Sequence, residues 1–276
     1  MKEIALITLH GMGENPKNYA QPLAKNLQQT MGDAWRKVSF QQVQYADLLQ
    51  KPQNKLWQDM ISAPGNNMDF QKLRRFFLHS FGDAGSLEYS ARHNQDKYLA
   101  TQQTIQTALL NALNDLGNDP SKPVVIIAHS LGCQVICNYL WDAQHNRHIF
   151  DAAPSRSAQQ NQFLRLHSLA GLITIGCNIP LFVSGIDQRQ CFAAPNDQFR
   201  WDNYYDPDDV LGWPLKQMGD SFSIVNDQPL DVGSALTGWT PLSHTQYWTD
   251  EGVSERVARR LLTAINQPVA AMEYNS

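Results

Sequence analysis

The segment Val124-Val-Ile-Ile-Ala-His-Ser-Leu-Gly132 decides how the chain is read. Five apolar residues, Val124 to Ala128, follow the turn-rich Asn118-Asp-Pro-Ser-Lys-Pro123, and a helical pattern runs from Leu131 to Trp141. A continuous apolar run bounded by a turn predicts a parallel strand buried on both faces. No loop separates that strand from the helix, so Ser130 falls on a tight strand-to-helix turn with its hydroxyl above the sheet. Small residues two before and two after it, Ala128 and Gly132, let the two backbones approach each other. The usual form of this turn is G-x-S-x-G, and Ala128 adds one methyl at the first position. Serine is also a favoured helix N-cap. The pentapeptide alone therefore fits both a nucleophile and a cap.

The same strand-and-helix alternation extends outward. Ile4 to Leu9 is an apolar run stopped by His10-Gly11-Met12-Gly13, and Leu169 to Ile175 is another, ending at Gly176. Val38-Ser-Phe40 and Val43-Gln-Tyr45 alternate, which predicts a second strand with an irregularity between its halves. Trp201 to Tyr205 predicts a short aromatic strand. Helical faces are marked by Leu23, Leu27 and Met31, and by Ile105, Leu109, Ala112, Leu113 and Leu116 with Gly117 as C-terminal cap. Val257, Leu261, Leu262 and Ile265 mark the last one. This order predicts an α/β fold with a mostly parallel, doubly wound sheet and helices on both faces. Residues 46–95 carry Trp57, Met60, Met68, Phe70, Phe76, Phe77 and Phe81 without a clean period, predicting an insertion or lid-like region over the core. No internal repeat or linker divides the chain, so a single domain over residues 1–276 is expected.

Composition excludes several classes of function. The 276 residues are 42% hydrophobic and 17% charged, which excludes a disordered or collagen-like chain. Lys plus Arg is 22 against 26 for Asp plus Glu, a net charge of −4 with no basic stripe. Nucleic acid is not the expected partner. Cys133, Cys137, Cys177 and Cys191 are too few for a disulfide framework in a chain of this length. The apolar run before His10 has six residues, too short for a signal-peptide core, and no run is long enough for an integral membrane segment. The expected location is cytoplasmic. No phosphate-cradling glycine motif occurs, so no cofactor is expected.

A serine that attacks a carbonyl needs backbone N–H groups aimed at the developing oxyanion. On this architecture one donor is the residue after the nucleophile, Leu131. The other comes from the loop after an early strand, where glycines allow close approach. His10-Gly11-Met12-Gly13 stands there, with Met12 as the second donor and His10, Gly11, Gly13 and His129 as candidate site lining. Read in isolation, the glycine pair marks a simple turn.

With both motifs in place, the sequence resembles the α/β-hydrolase superfamily on its lipase and esterase side. The resemblance covers the whole chain in element order and is specific at the two motifs above and the two sites that follow. It implies a Ser-acid-His triad in chain order, the acid after a later strand and the histidine near the C-terminus. In Trp201-Asp-Asn-Tyr-Tyr-Asp206-Pro-Asp208-Asp209-Val210, Asp209 is most similar to the family's acid, and Asp206, directly after the strand, is the alternative acid. The three carboxylates also raise a calcium loop, but they match no EF-hand spacing, so no metal is expected. Of eight histidines, His244 alone lies downstream of the acid stretch, within Trp239-Thr-Pro-Leu-Ser-His-Thr-Gln-Tyr-Trp248. His79, His93, His145, His148 and His167 read as surface or packing residues.

The expectation is a serine hydrolase that cleaves a carboxylic ester, small-molecule or lipid-like, through an acyl-serine intermediate. Ser130 is the nucleophile, His244 the base and Asp209 its orienting acid. Amide or thioester hydrolysis and acyl transfer use the same parts. A non-catalytic binding protein on the same fold is the remaining alternative.

Overall fold

A computed structural model describes residues 1–13, 15–93, 95–151, 156–233 and 243–266. Six strands, β1 (Ile4–Leu9), β2 (Val38–Val43), β3 (Val124–His129), β4 (Leu169–Ile175), β5 (Arg200–Tyr205) and β6 (Val225–Pro229), form one sheet. Their spatial order is β2-β1-β3-β4-β5-β6, and every neighbouring pair is parallel. The helices are α1 (Gln21–Met31), α2 (Ala46–Ser62), α3 (Gln71–Arg92), α4 (Asp96–Asp115), α5 (Leu131–His145), α6 (Ala158–Leu164), α7 (Ile179–Val183) and α8 (Glu251–Asn266).

Two apolar layers explain the unbroken hydrophobic strands. Ile4 and Leu6 of β1 and Val125 and Ile127 of β3 face a cluster completed by Leu23 and Leu27 of α1 and Val257 and Leu261 of α8. Ala5, Ile7, Val124 and Ile126 face the other way, against Ile105 and Leu109 of α4 and Ile136 and Tyr139 of α5. With both faces covered, every side chain of β1 and β3 lies out of water. Each fully buried Ile or Leu then contributes roughly 1.5–3 kcal/mol.

The structure differs from the sequence reading at β2, and it supplies elements that reading left unassigned within 46–92 and at β6. β2 has no irregularity: Val38 to Val43 pair one-to-one with Ile4 to Leu9, and Gln44 and Tyr45 of the second alternating half lie beyond the strand's end. Residues 46–92 contain two long helices. Their period is blurred because they leave Leu56, Met60, Leu73, Phe77 and Phe81 exposed while burying Gln50, Gln53 and Asp83. Leu49 of α2 and Ala84 and Leu87 of α3 join the same cluster as α4 and α5. The edge strand β6, Val-Asn-Asp-Gln-Pro, holds a single aliphatic residue and gave no strand signal.

The chain leaves β1 to form β2 on one side and returns to form β3 on the other. The crevice at such a switch, outside the carboxyl ends of the strands, is where doubly wound sheets bind ligands. His10 to Gly13 and Ser130 flank that crevice.

Candidate active site

Ser130 stands between β3 and α5 with φ 53° and ψ −122°. An L-residue held there stores on the order of 1–3 kcal/mol of strain, which surrounding structure must offset. Its N–H donates to the Ile175 carbonyl at 3.1 Å, and its carbonyl accepts from Cys133 N–H at 2.9 Å. Gly132 is obligatory, because a Cβ there would lie 2.7 Å from the His10 oxygen and 2.9 Å from the Leu9 oxygen. The Ser130 hydroxyl makes no capping bond to α5. It accepts instead from Asn178 Nδ2 at 3.2 Å.

The loop after β1 passes directly over this turn. A Cβ on Gly11 would lie 2.8 Å from both Ser130 Cβ and His129 Nδ1, so glycine is what lets the two strand ends meet. The Gly11, Met12 and Gly13 carbonyls all accept from Asn15 Nδ2, at 3.1, 3.4 and 2.8 Å. Three successive carbonyls are thus gathered on one side-chain amide. Leu131, the first residue of α5, has an N–H without an intrahelical acceptor, at the positive end of the helix dipole.

His244 Nδ1 lies 2.8 Å from Asp209 Oδ2, and both residues are buried. Asp209 Oδ1 accepts from Leu211 N–H at 3.0 Å, and Oδ2 also accepts from Tyr247 Oη at 3.1 Å. Burial alone pushes the Asp209 pKa up. The His244 contact and the Leu211 and Tyr247 donors outweigh that and hold it below the usual carboxylate range. Gly212 makes room, since a Cβ there would lie 2.8 Å from Asp209 Oδ2. Asp206 is committed elsewhere: Oδ1 accepts from Asp208 N–H at 2.8 Å and Oδ2 from Val232 N–H at 3.0 Å. The structure therefore brings Asp209, and not Asp206, to His244. Residues Trp239 to Leu242 of the histidine stretch lie outside the described residues.

With Nδ1–H directed at Asp209, His244 Nε2 is left as a proton acceptor. That atom is buried and has no hydrogen-bond partner among the described residues. The ring packs at the end of β4, where a Cβ on Gly176 would lie 3.1 Å from its Cε1 and Nδ1. Ile175, one residue earlier, is the residue whose carbonyl binds Ser130 N–H.

Two more imidazoles lie beneath. His129 Nε2 is 2.6 Å from the His244 carbonyl, and the two rings pack 4.7 Å apart. His10 Nδ1 donates to the Gly11 carbonyl at 2.8 Å, because its Nε2 already accepts Tyr45 N–H at 3.3 Å. Burial drives both pKa values down, His10 to about 4 and His129, with help from the neighbouring His244, to about 3. Both are neutral near pH 7.

A strained serine between β3 and a helix, on a parallel sheet of order 2-1-3-4-5-6, decides the architecture. The fold is of the α/β-hydrolase type. No protein-family model and no curated relative matches the sequence. Among solved structures, the chain is similar to a cutinase-like protein from Cryptococcus sp., at 11% identity over 95% of each chain and a TM-score of 0.42. It is also similar to an acetyl xylan esterase, at 11% identity over 96% of this chain and 99% of that one, with a TM-score of 0.42. No helix among the described residues is long and apolar enough to cross a membrane.

Several residues of the candidate site carried no sequence signal. Asn178, fully buried just after β4, reaches both Ser130 Oγ and, at 3.7 Å, Met12 Sδ. Tyr247 and Asn15 are ordinary loop residues until the fold places them. A cavity of about 340 Å³ runs along the outer stripe of α5, walled by Trp141, Ile179, Val183, Phe192, Trp201 and Phe222. Its lining includes Gln134, one turn beyond Ser130, and Ile179, next to Asn178, but not Ser130 or His244.

Proposed function

We propose that the protein is a cofactor-free serine hydrolase that cleaves carboxylic esters through an acyl-Ser130 intermediate. The observation that carries this reading is the 2.8 Å His244–Asp209 contact, with the His244 Nε2, unpartnered among the described residues, packed at the strand end that also holds the Ser130 backbone. A buried imidazole oriented on one nitrogen and open on the other is built to accept a proton from a neighbouring hydroxyl.

In this mechanism His244 Nε2 takes the Ser130 proton as Oγ attacks the ester carbonyl. Asp209 holds the tautomer and stabilises the imidazolium that forms. The Met12 and Leu131 N–H groups receive the oxyanion. His244 returns the proton to the departing alcohol, and water then repeats the cycle on the acyl-enzyme. The cavity beside α5, with its aromatic and aliphatic walls, suits an apolar acyl group.

The test is a fluorophosphonate probe followed by peptide mass mapping, with a panel of p-nitrophenyl esters of rising acyl length. A single adduct on the peptide carrying Ser130, and ester turnover lost in Ser130→Ala, are expected. Folded wild type that neither labels nor turns over any ester would turn the assignment toward a non-catalytic binding protein. Labelling at another serine would remove Ser130 as nucleophile.

A further inference from the structure

Asp83 lies on α3, 70 residues along the chain from the loop that carries Met12, and it is 2% exposed. Its Oδ2 accepts the Gly13 N–H at 3.1 Å and its Oδ1 accepts Gln53 Nε2 of α2 at 2.7 Å. The Gln53 contact depends on Gly82, where a Cβ would lie 3.0 Å from Gln53 Cδ and 3.1 Å from its Nε2. Burial raises the carboxyl's pKa, and the Gly13 and Gln53 bonds, with Gln50 and the more distant charge of Lys97, pull it only part of the way back. Among the described residues no cation lies within ion-pair distance of it. A buried carboxylate without an ion pair is costly, and a leucine of similar size would fasten α3 to the core at less expense. The carboxylate is explained by what it holds.

What it holds is one of the two peptide planes that meet at the Met12 Cα. A peptide unit is rigid, so an anchor at either end orients the whole plane. The plane bearing the Met12 N–H is held through the Gly11 carbonyl, which accepts from His10 Nδ1 at 2.8 Å and Asn15 Nδ2 at 3.1 Å. The following plane, from the Met12 carbonyl to the Gly13 N–H, is held by Asn15 and Asp83. With only the first anchored, the Met12 Cα on which that N–H plane ends is tethered from one side alone, and Gly13, at φ 84°, adds no side chain to restrain the other side. With both anchored, it is tethered from both sides.

We propose that Asp83 is a positioning residue for catalysis: through the Gly13 N–H it locks the oxyanion loop so that the Met12 N–H stays aimed at the reacting carbonyl. The α2–α3 segment is thereby part of the catalytic apparatus, through Gln53 and Asp83, although neither touches substrate. This rests on the hydrolytic reading above.

The test compares Asp83→Leu, Asp83→Glu and Asp83→Asn, each normalised to active sites titrated with the fluorophosphonate. Turnover of p-nitrophenyl butyrate is measured together with inhibition by a trifluoromethyl ketone, whose serine adduct places an oxyanion in the hole. Misplacing a catalytic group by about an ångström costs on the order of 10²-fold, so Asp83→Leu should lose roughly 10- to 100-fold in kcat per site, with KM within about threefold. Inhibitor affinity should fall by the same factor. Asp83→Asn keeps an acceptor for Gly13, and Gln53 can turn its partnerless Oε1 to the new amide, so it should recover most of the loss. If Asp83→Leu does not fold, Asp83→Glu, which moves the acceptor by one methylene, should show a smaller loss of the same kind. A lowered Tm with kcat per site and inhibitor affinity unchanged in the folded variants would reduce Asp83 to a structural residue and overturn the proposal. The two readings fail separately. Turnover that survives Ser130→Ala removes the hydrolytic mechanism, whereas Ser130-dependent turnover indifferent to Asp83 removes only the positioning role.

Discussion

His129, the residue immediately before Ser130, points its Nε2 at the backbone carbonyl of His244, 2.6 Å away and 115 residues along the chain. Buried and neutral, the imidazole can donate that hydrogen bond at any pH where the fold survives. The strand end that presents Ser130 therefore also holds the backbone of His244. Replacement by phenylalanine keeps the ring packed against His244 and Trp248 but deletes the donor. His129→Phe should lower kcat about tenfold through small misplacement of His244, with KM little changed. Steady-state kinetics on a short-chain ester decide it. An unchanged kcat would mean that His244 is held sufficiently by Asp209 alone.

The two aspartates of the 206–209 turn should separate cleanly. Asp209→Asn leaves the geometry intact but presents an amide to His244 Nδ1, and the loss in kcat should approach ~10⁴-fold. Asp206→Asn disturbs bonds to the Asp208 and Val232 N–H groups. It should cost about 1–2 kcal/mol of stability and little activity. The check is kcat alongside urea unfolding for both variants, and a crippled Asp206→Asn enzyme with active Asp209→Asn would reverse the assignment.

At Met12 the backbone, not the side chain, is expected to matter. Met12→Ala should be mild, since it loses only packing and a weak contact from Asn178. Met12→Pro removes the N–H, and a lost oxyanion donor typically costs roughly 10²–10³ in rate. Circular dichroism must first show that the proline variant folds. Near-wild-type turnover in that folded variant would place the second donor elsewhere, with the Asn178 side chain the next group to replace.

Acid sensitivity should begin well above the carboxylate range. His10 is neutral in the fold down to about pH 4, whereas an unfolded histidine takes a proton near 6.5. Between those values the unfolded chain binds more protons, so stability is complete above pH 6.5 and falls as the pH drops toward 4. For His10 this amounts to roughly 3 kcal/mol. Asp209, with its pKa lowered, acts with the same sign in the window below: its contribution is present above its unfolded value of 3.8 and is lost as pH falls further. Urea unfolding of wild type and His10→Gln at pH 7 and pH 4 tests the histidine. Glutamine can still accept the Tyr45 N–H, and the variant should show a distinctly shallower loss. Equal losses would contradict a buried neutral imidazole.

His244 is more than a loop side chain. The sequence places it in an irregular stretch, but it sits 3% exposed in a short 3-10 helix, Ser243–Trp248. His244→Ala should abolish turnover and also lower Tm, because it leaves Asp209 buried with one donor fewer. Triad members act as a unit, so adding Ser130→Ala should cost little further activity. Independent, multiplicative losses would argue against a concerted pair.

The sequence by itself determined the α/β architecture and the strand-to-helix turn at Ser130, because these depend on near neighbours. A run such as Val124 to Ala128 must be buried on both faces, and only small residues such as Ala128 and Gly132 tolerate the turn. It did not determine helices α2 and α3 or strand β6, whose polar and apolar residues are set by distant partners rather than by a local period. Between Asp206 and Asp209, three residues apart in one acidic turn, only the family resemblance favoured Asp209, and spacing alone left both open. The tertiary structure sets their partners: Val232 and Asp208 take one carboxylate, and His244 and Tyr247 take the other. Asn178 and Asp83 were likewise invisible in one dimension. Their amide and carboxylate acquire meaning only because a parallel sheet gathers the ends of β1, β3 and β4 on one side, and a hydrogen bond exists only where two groups come within about 3 Å.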